Sequence, residues 1–240
     1  MKKSLLLSVA IIILTGCAYL GAAHYDELFG PENVQQRIVE HDSGAGREFL
    51  QHVQPVLDTR CVVCHGCYDA PCQLKLSSPE GIDRGWSKEL VYDGTRLLAS
   101  KPSRLLYDAA DTAGWREKNF SPVLNERGQT EQGNLAGSVL YNSLVLKMSS
   151  PLPEDDVLGD EFDFALDRTQ SCTGIEEFDR LAKSQPHAGM PYGLPGITRS
   201  EFKHLEKWLK SGGKMAVLRK IKASTLMETM VATVLIVLIF

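Results

Sequence analysis

The sequence predicts a mainly α-helical domain. Apolar residues recur at helical spacing in several separate stretches, two Thr-x-x-Glu boxes mark helix starts, and no stretch alternates like a strand. With 240 residues, 43% hydrophobic and 23% charged, the chain has the composition of a globular protein that buries a core. A net charge of −4 offers no basic footprint, so nucleic acid is not an expected partner.

Residues 1–17 read as an export signal, in which Lys2 and Lys3 precede an apolar run from Leu5 to Leu14 that is short for a bilayer span. Leu14-Thr15-Gly16-Cys17 then resembles the lipobox of bacterial lipoproteins. The resemblance implies that Cys17 is lipidated and that the mature chain sits in the periplasm, anchored to a membrane. Disulfides are permitted in that compartment. Residues 18–46 read as a linker and 47–213 as the folded domain.

The domain opens with a helix from Arg47 to Arg60, with Phe49, Val53, Val56 and Leu57 on its apolar face and a kink expected at Pro55. Arg104 to Arg116 and Asn134 to Met148 read as further helices. The second carries Leu135, Val139, Leu140, Leu144 and Val145, read as core, with a lipid pocket as the other reading. An acidic loop holds Asp155, Asp156, Asp160 and Glu161. Thr173 to Glu176 is a capping box opening a helix to about Ser184, and Thr198 to Glu201 opens another to Lys210, ended by Gly212. Phe202, Leu205, Trp208 and Leu209 form the apolar face of that last helix.

Residues 214–240 end in an apolar run shorter than the ~20 residues a spanning helix needs. Lys220 to Glu228 resembles a type IV prepilin leader junction, with Glu228 fifth after a cut behind Ala223. The segment from Met215 onward is therefore expected to be foreign to the domain.

Cys61, Cys64, Cys67 and Cys72 crowd into one short stretch, which requires a chemical reason. Cys61-Val62-Val63-Cys64-His65 supplies two thiols spaced to add across the vinyl groups of one porphyrin and an imidazole beside the second thiol. Covalent haem c is the reading, with Cys61 and Cys64 as thioether sites and His65 as the proximal ligand. Zinc or an iron–sulfur cluster on the four thiolates, or a disulfide knot, are the rivals. Under the haem reading, Cys67 and Cys72 are candidates for a disulfide, and Cys172 is left unpaired.

The distal ligand is expected from the loop His187-Ala188-Gly189-Met190-Pro191-Tyr192-Gly193-Leu194-Pro195, with Met190 first and His187 second. A Met-Pro loop followed by a capped helix resembles the C-terminal end of class I cytochromes c. The fold expected is thus a cytochrome c-like haem domain with a long insertion between the haem motif and the Met-Pro loop.

The extended motif from Arg60 through Cys61, Cys64, His65, Cys67 and Cys72 to Leu74 resembles the bacterial fatty acid cis/trans isomerases. So do Pro122 to Arg127, Gly137 to Tyr141, Ile175 to Phe178 and Met190 to Gly196. The resemblance implies a periplasmic haem protein that turns cis-unsaturated acyl chains, free or in phospholipid, into trans ones. It also implies that only the N-terminal cytochrome portion of a longer enzyme is represented. A membrane-anchored electron-transfer cytochrome with a redox partner is the alternative. A third reading is an envelope assembly component with a pseudopilin-like tail.

Overall fold

In the computed structural model, which describes residues 2–98, 100–153, 158–159 and 172–217, capping side chains and apolar periodicity set the helices. Helix α1 runs from Lys2 to Phe29, straight through Cys17. Its stretch Leu7–Glu27 is long and apolar enough to cross a membrane, and a signal sequence passes the same test. The apolar character thus extends past Leu14, where the run of large aliphatics stops.

Ser43 starts α2 (Gly44–Glu48) by accepting a hydrogen bond from the Gly46 amide. One turn of π-helix, Phe49–Val53, then leads into α3 (Gln54–Arg60). Pro55 accounts for the wide turn, because it has no N–H to donate and its ring clashes with the carbonyl four residues back. The helix is deflected and not ended, and Phe49, Val53, Val56 and Leu57 are all buried as expected. The short helix α4 (Val62–His65) follows at once.

After α5 (Pro79–Arg84), the structure departs from the expected helix over Arg104–Arg116. The Asp108 carboxylate takes the Arg104 amide, Leu106 adopts a left-handed φ of 70°, and only α6 (Thr112–Glu117) is helical. Asp111 caps α6 by accepting from the Gly114 amide, in the helix's first turn. The helix expected over Asn134–Met148 is likewise two, α7 (Glu131–Ala136) and α8 (Val139–Ser149). Ser138 breaks them by accepting from the Tyr141 amide and donating to the Val123 carbonyl at 3.2 Å.

Helix α9 (Ile175–Ser184) ends where expected, but Gly174 is its cap and no capping box forms. Thr173 lies one residue too early, and its hydroxyl donates to the Gly174 carbonyl. Helix α10 (Arg199–Lys210) does carry the Thr198–Glu201 box, with both reciprocal bonds made.

The α2–α3 segment lies along α10. Phe49 packs on Trp208 at 5.8 Å between ring centroids, His52 stacks on His204 at 4.8 Å, and Arg60 pairs with Glu201 at 2.8 Å. Leu205, Trp208 and Leu209 complete the core beneath them.

Two boundaries move. Strand β1 (Ile38–Val39) pairs in parallel with β2 (Met215–Ala216), and Met215 is wholly buried. Arg37, also buried, meets Asp83 and Glu126 at 3.4 Å each and donates to the Asn125 carbonyl at 2.6 Å. Arg116 closes the cluster on Glu126 with two bonds of 2.7 Å. Residues 37–39 are therefore part of the domain and not linker, and Met215–Ala216 are part of its core and not a foreign start. The reason is a two-residue pairing too short to leave an alternating pattern. Asp155, Asp156, Asp160, Glu161 and the prepilin-like stretch through Ala223 and Glu228 lie outside the described residues.

Candidate functional site

The cysteine motif rides on the end of the α3–α4 helix. The Cys61 amide donates to Leu57 O at 2.9 Å and the His65 amide to Cys61 O at 2.9 Å, so the helical path presents Cys61, Cys64 and His65 together. His65 is buried, and its Nδ1 lies 3.1 Å from the Leu74 carbonyl. That bond fixes Nδ1 as the protonated nitrogen and leaves Nε2 with its lone pair for a ligand. Burial also pulls the imidazole below its usual range, which keeps it in the neutral, ligating form.

Sequence reasoning did not single out the residues that hold the Leu74 carbonyl in place. Cys72 and Gln73 take consecutive left-handed turns with φ of 56° and 51°. The buried Arg84 guanidinium then donates to the Gln73 carbonyl and, at 2.6 Å, to Ser103 O. A Cys-Gln pair in left-handed backbone and an arginine eleven residues after it leave no periodic signal.

His65, Cys61 and Cys64 face a cavity of about 140 Å³. Leu74, Leu76, Val123, Leu140, Leu144 and Phe178 make much of its apolar wall. In the α8 stripe read as core, Leu140 and Leu144 belong to the core and also line the cavity. Met190 lines the same cavity, whereas His187 does not. Gly189 permits this, because any Cβ there would stand 2.3 Å from the Lys147 amide nitrogen on α8. The Met190 amide donates to Ser143 O at 3.0 Å, which completes the seating of the loop on that helix.

The disulfide joins Cys72 to Cys172, with Cα atoms 5.5 Å apart and 100 residues between them. This corrects the expected Cys67–Cys72 pair and the unpaired Cys172. Cys67 lies exposed on the turn after α4, while the left-handed backbone at Cys72 directs that residue to the cavity wall, where Cys172 arrives just ahead of α9. The pairing removes one thiolate from the four-cysteine metal site. Burial, then the neighbouring Cys64, push the Cys61 thiol up to about 11, so it stays protonated near neutrality. Cys17 is exposed on α1.

Two unoxidised thiols, a neutral imidazole with one nitrogen committed to a carbonyl, and a thioether on one apolar cavity are the donor set of haem c. The residues fit that group.

Residues 100–233 match the model of the fatty acid cis/trans isomerase family. The chain belongs to that family. No curated protein and no solved structure matches it. The isomerase-family match begins after the cysteine motif, takes in Met190 and the α8 and α9 walls of the cavity, and runs on past Met215. The buried Met215–Ala216 strand is thus part of the isomerase-family stretch, as its packing requires.

Proposed function

We propose that this chain carries haem c-dependent cis-to-trans isomerisation of unsaturated fatty acyl chains in the periplasm, with Cys17 as its lipid anchor. The observation that carries the reading is the shared cavity, in which His65, Cys61, Cys64 and Met190 face one apolar space.

Cys61 and Cys64 would hold the porphyrin through thioether bonds, and His65 and Met190 would ligate its iron. The chemistry such a haem supplies is a transient withdrawal of electron density from the C=C bond, which lowers its order enough for rotation. The remaining task belongs to the protein. Leu140, Leu144, Val123 and Phe178 give the site an apolar wall on which an acyl chain can leave water. The Leu74 carbonyl holds His65 in one tautomer throughout.

The full-length chain, produced with haem-maturation machinery, should show covalent haem by absorbance after denaturation. Incubated with cis-monounsaturated fatty acids, it should yield trans products with the double bond unmoved, read by gas chromatography. The yield should vanish in Cys61→Ala. A fully loaded chain that makes no trans product would instead support the electron-transfer alternative.

A further inference from the structure

Two histidines meet where the α2–α3 segment lies along α10. His52, on the π-helical turn, and His204, on α10, stack with ring centroids 4.8 Å apart and planes within 4° of parallel. His52 is exposed and His204 half-buried, and no ring nitrogen of either makes a hydrogen bond among the described residues. Glu48 stands four residues before His52 and accepts from Lys207 Nζ of α10 at 2.9 Å. That bond holds its carboxyl below the ordinary value, and both imidazoles lie close enough to add to the effect. Two imidazoles and one ionised carboxylate, drawn from facing elements, therefore share one patch of surface.

This donor set suits a late first-row divalent ion. Zinc takes imidazole nitrogen and carboxylate oxygen from proteins, whereas magnesium seeks oxygen alone. We propose that Glu48, His52 and His204 form a surface zinc site that clamps the α2–α3 segment to α10. A tetrahedral ion that holds each nitrogen at about 2.1 Å needs the pair roughly 3.4 Å apart. The rings reach that spacing by tilting together at one edge, for which the exposed His52 has room. Glu48 becomes the third ligand by leaving Lys207, whose side chain is 70% exposed and whose pairing in water is weak.

The inference does not depend on what fills the cavity. Zinc bound only by the folded chain stabilises the packing of the helix that delivers Cys61 against the last helix.

The test uses the full-length, untagged chain dialysed against buffered free zinc, with bound zinc counted per chain by atomic absorption. Cys61, Cys64 and Cys67 are present in every protein compared, so any zinc they hold falls in the baseline. The wild type should bind one ion more than His52→Ala or His204→Ala, and its melting temperature should rise more with zinc than theirs. Lys207→Met frees Glu48 without touching an imidazole and should fill the site at a lower free zinc concentration. Glu48→Gln should require a higher one. Magnesium in place of zinc should shift no melting temperature through this site. Equal zinc uptake by the wild type and both histidine variants, each shown by circular dichroism to be folded, overturns the site. Zinc uptake unchanged in both Lys207→Met and Glu48→Gln overturns the part given to Glu48.

Discussion

A single glycine and a single carbonyl decide whether the donor residues meet. His65 is a usable ligand because the Leu74 carbonyl, 3.1 Å away, occupies its Nδ1. Met190 reaches the same cavity because Gly189 lets the loop lie directly on the backbone of α8. A methyl group at Gly189 has no room, since the nearest atoms are main-chain and cannot rotate away. Gly189→Ala should therefore lower stability by about 1–3 kcal/mol, an overpacking penalty measurable by urea denaturation. In the haem-bound form proposed above, the displaced loop should also weaken ligation by Met190, seen as a change in the ligand-sensitive absorbance. An unchanged spectrum would show that the loop position does not govern the sixth ligand. Glycine within a loop of Gly and Pro was visible in the sequence, but the backbone it touches was not.

At the scale of elements, helix starts were legible where the cap lies beside its own helix. Thr198 and Glu201 needed only their spacing to be read, and both bonds of the box are present. Thr173 has the same spacing and fails, because the chain enters α9 through Gly174 after the disulfide. Periodicity alone suggests longer helices than form where a side chain prefers a tertiary partner, as Ser138 does in bonding Val123 O, which ends one helix and begins the next. Thr198→Ala should cost about 1 kcal/mol at neutral pH through loss of the cap. Glu201 supplies a pH signature as well. Its bond to Arg60, together with the Thr198 amide, holds its carboxyl below the ordinary value of 4.5. A carboxylate depressed in the folded state stabilises above its unfolded value, and that stabilisation is lost as pH falls through the folded one. Glu201→Gln should flatten the decline in unfolding midpoint below pH 4.5, read by thermal melts across the acid range. An identical decline in wild type and variant would exclude the Arg60 pair as its source.

For the whole molecule, the Cys72–Cys172 bond joins the loop after the cysteine motif to the α9 wall across 100 residues. A loop that long should make the bond worth about 2–5 kcal/mol, mainly by restricting the unfolded chain. Reductant should lower the melting temperature of the wild type and leave a Cys72→Ser, Cys172→Ser double variant unmoved. Equal melting of the oxidised and reduced wild type would show that non-covalent packing holds α9 by itself. The β1–β2 pairing and the Arg37 cluster work at the same scale, since they bring residues 37–39 and 215–216 into one core with α5 and the 120s loop.

The sequence by itself determined what is local: the Cys61-x-x-Cys64-His65 spacing on a helix end and the capped last helix after the Met190 loop. It also carried the family, through motifs spread along the chain and matched over residues 100–233. The tertiary structure decided which distant groups meet. Cys172 rather than Cys67 is the partner of Cys72, α8 is both core and cavity wall, and Met215 is buried against Arg37 and β1. The physical reason is that spacing along a chain fixes neighbours within a turn of helix. Which of several cysteines or apolar faces come together depends on how rigid helices pack, and short pairings of that kind leave no period to read.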